Sequence, residues 1–195
     1  SGVLELKSAG TTIATVSSTG LAMATGKTIT GDAISNGKIL QVVQTVKTDT
    51  ASITSSSTNT FVDLTGLTVA ITPSSASSKV LVTVSASVTQ STGMLHMMLV
   101  RDSTNIVVGD TAGSRICSTM SSRFDSAPYN YNNNITATYS FLDSPNTTSA
   151  TTYKLQGTLG STYSGTIFVN RVPATGDLGY AARTTSTITV MEVAA

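Results

Sequence analysis

The sequence has few charged residues, one cysteine and no long apolar run, and each shortage excludes a kind of binding or bonding. Only 11% of its 195 residues are charged and the formal net charge is +1, so no basic surface is expected for nucleic acid or an anionic membrane. The single cysteine, Cys117, cannot form an intrachain disulfide. No run approaches the roughly 18 apolar residues of a membrane span. We therefore predict no nucleic-acid binding and no membrane insertion.

Residues that carry catalysis or bind metals are equally scarce. His96 is the only histidine, and it lies among Met94, Met97 and Met98 in a run typical of a buried strand. We expect a structural, hydrogen-bonded histidine there, and methionines that fill the core. One histidine and one cysteine are too few for a zinc site, which needs about three or four ligands. We predict no enzymatic activity, no cofactor and no metal.

The ten carboxylates are dispersed, mostly at turns, where aspartate usually caps the backbone. Asp102, Asp110 and Asp143 are possible calcium ligands, but no DxDxDG spacing supports a calcium loop. Asp110 and Asp125 fall in one long loop, and glycoside cleavage needs two carboxyl groups roughly 5 to 10 Å apart. A glycan-cleaving spike is therefore one alternative.

Threonine and serine are abundant instead, with 36 and 28 residues, and they favour pleated surfaces and turns. In residues 80–88 apolar side chains alternate with small polar ones, the period of a half-buried strand. Strands are predicted at 39–46, 61–71 with a kink at 63–66, 80–89, 94–101, 105–108, 135–142, 153–159, 166–172 and 187–193. Residues 48–60 are predicted to be a polar loop, and a short strand around Ile116 interrupts the long loop 109–134. Eight or nine strands with turn-like connections indicate a sandwich or jelly roll.

Two regions are predicted, residues 1–37 and residues 38–195. The first holds short strand-like pieces broken by glycines, with too few apolar residues to enclose a core in one copy. We predict an ordered shaft in which several copies wind together; the alternative is a disordered linker. The start at Ser1, without methionine, indicates a piece of a longer protein.

The segments GKILQVVQTVKTDT, TNTFVDLTGLTVAITPSSASSKVLVTVSAS and STITVMEV resemble the receptor-facing C-terminal domains of tail-fibre and related virion appendage proteins of tailed bacteriophages, including those of marine phages. GLAMATGKTITG is similar to the shaft repeats that precede such domains. The resemblance implies an all-β homotrimer with an intertwined β-shaft, and an antiparallel jelly-roll head akin to those of tumour necrosis factor and C1q. It also implies a place in the virion, attachment to other tail proteins through the N-terminal side, and binding to a host-surface glycan or protein. The alternative is a purely architectural virion protein, such as a capsid fibre, decoration protein or tail connector.

Residues suited to recognition concentrate in three predicted loops. Tyrosine rings stack on sugars or apolar patches while arginine and asparagine donate hydrogen bonds. The family has no invariant binding residues, so these candidates follow from residue type and loop position alone. They are Arg115, Arg123, Tyr129, Tyr131, Asn132 and Asn133 in the long loop, Tyr163 in the next, and Tyr180 and Arg183 in the last.

The last predicted strand, residues 187–193, is largely apolar on both faces up to Glu192. At a sheet edge such a strand would be an aggregation hazard unless it were covered. Either another copy covers it near a three-fold axis, or it pairs in the middle of its own sheet.

Overall fold

The computed structural model describes residues 4–17, 20–25, 37–56, 59–123, 134–160, 162–174, 176, 178–179 and 181–195. Within these residues all regular structure is β-strand, no helix occurs, and all strand pairs are antiparallel. The chain divides into two compact units, Ser1–Lys38 and Ile39–Ala195. The all-β prediction is confirmed, whereas the trimeric shaft stays a prediction.

The first unit is a three-stranded meander of β1 (Leu4–Ser8), β2 (Thr11–Ser17) and β3 (Gly20–Met23). Ala9 and Gly10 both have positive φ and make the two-residue turn between β1 and β2. Leu4 and Leu21 are 62% and 50% exposed. One copy of this segment therefore leaves most of its large apolar side chains in water.

The second unit contains eleven strands among its described residues. They are β4 (Ile39–Lys47), β5 (Ala51–Ser55), β6 (Val62–Ile71), β7 (Lys79–Gln90), β8 (Met94–Arg101), β9 (Thr104–Ile106), β10 (Met120–Arg123), β11 (Ile135–Asp143), β12 (Thr151–Thr158), β13 (Gly165–Val169) and β14 (Ser186–Val193).

These strands form two sheets of four rows each. In the first sheet, β4 and β5 make one edge row, β14 and β13 the next, then β7, and β11 the other edge. In the second sheet the rows are β6, β12, β8, and then β9 with β10. Every connection between successive rows crosses to the other sheet except the hairpin from β8 to β9. This alternation makes a jelly-roll-like sandwich.

The core lies between the inward surfaces of the two sheets. On β7 the inward side chains of Val80, Val82, Val84 and Val88 are at most 1% exposed. On β6 both Leu64 and Leu67 are buried, although a regular strand would place them on opposite faces. The pairing with β12 shifts register there, and Gly66 takes a φ of +84°. The predicted kink in this strand is confirmed.

Two local predictions are wrong. Residues 48–60 are not all loop, because β5 forms there and pairs with β13; its one large apolar residue, Ile53, packs against the core. Ile116 is not in a strand, and the strand of that segment is β10, four residues later. In both places the apolar pattern is too short to fix a strand without its pairing partner.

The final strand pairs with its own sheet on both edges, β4 on one side and β7 on the other. The alternative in which β14 is an edge covered by another copy is therefore wrong. Its inward residues Ile188, Val190 and Glu192 are fully buried.

Glu192 is a buried acid with a complete set of donors. Its carboxylate accepts hydrogen bonds from the backbone N of Ser74 at 2.7 Å, from Ser74 Oγ at 2.6 Å and from Gln41 Nε2 at 2.6 Å. Burial alone would raise the pKa of Glu192, but the hydrogen bonds from Ser74, Gln41 and Ser78 outweigh it and lower the pKa to about 2. The charged carboxylate therefore fastens loop 72–78 to the end of β14.

Glu192→Gln tests this role. A carboxyl group whose pKa is lower in the folded than in the unfolded protein stabilises the fold above pH 4.5, and this stability is lost as the pH falls towards 2. We expect the substitution to lower the free energy of unfolding at pH 7 by about 3 kcal/mol. It should also flatten the acid limb, measured by urea unfolding between pH 7 and 2. The exposed Asp110→Asn is the charge control, and an acid limb equally steep in Glu192→Gln would contradict the assignment.

Candidate functional site

The outward surface of the first sheet carries an exposed apolar band that crosses all four rows. Val42 on β4 pairs with Met191 on β14, Met191 pairs with Leu81 on β7, and Leu81 pairs with Leu142 on β11. Val42 and Leu142 at its two ends are 56% and 45% exposed. We call these four residues the apolar band. Exposed aliphatic side chains in a continuous row are typical of a contact surface.

The next line of side chains across this surface lies on the side away from Ile39 and Val193. We call this line a rank; it is polar but uncharged. Gln44 donates to Thr189 Oγ1 at 2.7 Å, and the hydroxyl oxygens of Thr83 and Ser140 are 3.3 Å apart. Neighbouring side chains of this rank therefore form hydrogen bonds with one another. The surface therefore combines aliphatic, threonine and serine side chains without a charge in either rank.

Farther along the same surface, a loop packs against the outward side of the first sheet. This is the β13–β14 loop, residues 170–185, which connects the two strands of one row. Thr184 Oγ1 lies 2.7 Å from Ser87 Oγ, and Asn134 Nδ2 donates to Thr184 Oγ1 at 3.2 Å. Ser87, an outward residue of β7, is only 2% exposed. The loop is thus fixed against the outward surface, beyond the apolar band.

Asn170 anchors the base of this loop. Its Nδ2 donates to the carbonyl oxygens of Lys47 at 2.8 Å and Asp49 at 2.9 Å, and its Oδ1 accepts from Ser186 Oγ at 2.6 Å. The residue is fully buried with a φ of +59°, a conformation that asparagine tolerates better than most residues. One side chain therefore joins the break between β4 and β5 to the break between β13 and β14.

The two ends of the loop meet, and its residues line a half-open pocket of about 340 Å³. The backbones of Arg171 and Arg183 pair as an isolated bridge, and Thr184 N donates to Asn170 O at 3.2 Å. Compact loops whose ends meet in this way are frequently functional. The pocket is lined by Arg171, Val172, Ala174, Gly176, Leu178, Ala181, Ala182 and Arg183.

Arg171 is held in one position within the pocket wall. Its Nε donates to Val172 O at 3.1 Å and its Nη2 to Ala174 O at 3.3 Å, while Cζ lies 5.2 Å from the centre of the Phe168 ring. The last distance permits a cation–π contact. Arg183 is exposed, and no described residue supplies a hydrogen-bond acceptor to its guanidinium. No acidic residue occurs among the lining residues that the structure describes.

The structure separates the predicted recognition residues that it describes. Arg183 lines the pocket on the first sheet, and Arg115 is exposed in the loop between β9 and β10. Arg123 ends β10 opposite Met94, next to Gly93, where a Cβ would lie only 2.6 Å from Tyr163 Cγ. Arg123 and Tyr163 therefore both lie near the start of β8. The other candidates lie outside the described residues: Tyr129, Tyr131, Asn132, Asn133 and Tyr180.

His96 faces outward on the second sheet and is half-buried. Its Nδ1 is buried and has no hydrogen-bond partner among the described residues, so the prediction of a hydrogen-bonded histidine is wrong for this atom. Burial lowers its pKa. Met97 is buried in the core as predicted. Met98 is buried outside the core cluster, and Met94 is 38% exposed at the strand end, so neither fills the core.

The described ranges contain no group of three or more histidine, cysteine or acidic side chains that could hold a metal ion. They contain no helix with the length and apolar character to cross a membrane. Asp110 is exposed and Asp125 lies outside the described residues, so the glycan-cleaving alternative stays a prediction.

Comparison with known proteins gives no family. No family model matches the chain, and no curated protein matches it. The likeness to phage virion appendages therefore stays an expectation drawn from the sequence.

Asn170→Ala tests the anchor of the β13–β14 loop. It removes two buried hydrogen bonds and one part-buried one, and it deprives Lys47 O, Asp49 O and Ser186 Oγ of this partner. We therefore expect a loss of about 2 to 4 kcal/mol in the free energy of unfolding. Asn146 is the matched control because it is exposed and has a similar φ of 53°. Asn146→Ala should cost only about 1 kcal/mol from the backbone conformation. Equal losses in urea unfolding would contradict the anchoring role.

Proposed function

We propose that this chain is the shaft and head of a bacteriophage virion appendage, a homotrimeric tail-fibre tip that attaches the virion to its host cell. Residues 38–195 form the head that contacts a host-surface glycan or protein. The N-terminal side joins other tail proteins. The proposal begins from the sequence resemblance and is supported by the jelly-roll-like order of the strands.

The observation that carries the proposal is the apolar band. Its end residues, Val42 and Leu142, are about half exposed in a single copy, and the adjacent rank is uncharged. Burying such a surface against identical copies is favourable by roughly 25 cal/mol per Å² of apolar area. A surface of aliphatic, serine and threonine side chains gives an interface with few ion pairs.

The exposed apolar side chains of β1 to β3 support the same assembly. Leu4, Leu6 and Leu21 are 45% to 62% exposed within one copy. A shaft of several copies gives these side chains partners that one three-stranded meander does not provide. The final strand adds no support, because its own sheet pairs both of its edges.

Val42→Glu tests the assembly. Sedimentation equilibrium at micromolar concentration should give three times the chain mass of 20.0 kDa for the unsubstituted protein. The variant should shift toward monomer, because three buried carboxylates near one axis lose hydration and repel one another. Ala70→Glu, on the outward surface of the second sheet, should leave the trimer intact. A folded monomer without substitution would contradict the trimer.

Host attachment is tested by adsorption of the labelled trimer to a panel of bacterial strains. We expect saturable binding to a subset of strains, with competition by unlabelled trimer. A trimer that binds no strain saturably would instead favour the purely architectural role. Release of reducing sugar from the surface polysaccharide of a bound strain, lost in Asp110→Asn or Asp125→Asn, would show the glycan-cleaving alternative.

A further inference from the structure

We infer that the pocket of the β13–β14 loop binds an acidic sugar, a monosaccharide unit that bears a carboxylate or sulfate group. This inference deepens the proposed function, on which it rests for the source of the sugar, by naming the class of host glycan.

The charge of the pocket selects an anion. Arg171 and Arg183 stand on paired backbone positions, and none of the described lining residues is acidic. The chain as a whole has a formal net charge of only +1, so two arginines in one pocket are a local concentration of charge. Arginine presents donors in a planar fork that matches a carboxylate or sulfate. Asp177, the one acidic residue in the sequence of this loop, lies outside the described residues.

One of the two guanidinium groups, that of Arg171, is already oriented before a ligand binds. Arginine has five N–H donors, and Arg171 uses two of its nitrogens on Val172 O and Ala174 O. These bonds and the Phe168 ring hold the guanidinium in place while its Nη1 has no acceptor among the described residues. A ligand that meets an ordered guanidinium avoids much of the entropy cost of fixing a long side chain. Arg183 supplies a second, exposed guanidinium.

The volume of the pocket and its apolar lining residue Leu178 suit a sugar unit. A volume of about 340 Å³ is near the lower end of the range for small-molecule sites. Leu178 lines the pocket and is 39% exposed, which offers an apolar surface to the C–H face of a sugar ring. A bare inorganic anion would use the arginines but leave Leu178 without a contact.

The anchor at Asn170 makes the pocket a built feature of the fold. The buried hydrogen bonds of Asn170 fix the start of the loop, and Thr184 fixes its end on Ser87. The start of the loop is thus tied to the edge row of β4 and β5, and its end to the central strand β7. The backbone positions of the two arginines are therefore fixed by the fold and need no ligand.

The test is titration of the trimer with sodium glucuronate, followed by two-dimensional NMR or calorimetry at low and physiological salt. Glucose and sodium sulfate are titrated in parallel. We expect glucuronate to bind at least about tenfold more tightly than either, because only it offers both a carboxylate and a ring. Arg183→Gln should weaken glucuronate binding at least about tenfold without changing the melting temperature.

The matched control is Arg115→Gln, which removes the same charge from an exposed loop on the other sheet and should change binding less than twofold. Equal binding of glucose and glucuronate, equal losses in both variants, or no binding of glucuronate would overturn the inference. Sulfate binding as tight as glucuronate binding would show a simple anion site and would also overturn it.

Adsorption separates this inference from the proposed function. If the trimer adsorbs to cells and Arg183→Gln adsorbs equally well, the pocket is not the attachment site and host attachment stands without it. If glucuronate binding depends on Arg183 but no strain is bound, the sugar site stands and attachment fails.

Discussion

The pairing of β7 constrains the whole second unit. This strand pairs with β14 and β13 along one edge and with β11 along the other, while its inward valines are completely buried. Because side chains alternate with a period of two, a one-residue slip of β7 would expose those valines and bury threonine and serine. The same register aligns Leu81 with Met191 and Leu142, so the core and the apolar band are fixed together.

Long alternating strands could be predicted from the sequence, and short or interrupted ones could not. Residues 80–89 and 135–142 carry enough apolar alternation to fix both the strand and its inward face. β5 has one large apolar residue, Ile53, and is stabilised by its partner β13, which lies more than 100 positions away. The sequence left two alternatives for the place of the last strand in its sheet, because only strand pairing shows that both of its edges are occupied.

The candidate site was predictable only in part. Arg183 could be named from its residue type and its loop. The pocket also depends on Arg171, which falls inside the strand predicted at 166–172, whereas β13 ends at Val169. Asn170 forms hydrogen bonds with residues that are far away in the sequence, at the ends of strands in two adjacent rows. No local sequence pattern indicates these contacts. Asn170 also falls inside the strand predicted at 166–172, so nothing in the sequence indicated its positive φ.

In the proposed trimer, two surfaces of the first sheet have separate roles: the apolar band would join copies, and the β13–β14 loop would present the arginine pocket. The most direct measurement is a cryo-electron microscopy map of the assembled protein in solution. We expect three heads in contact through Val42, Leu81, Met191 and Leu142, with each arginine pocket open to solvent. A map in which the apolar band faces solvent, or in which the pocket is closed by a neighbouring copy, would contradict the proposed assembly.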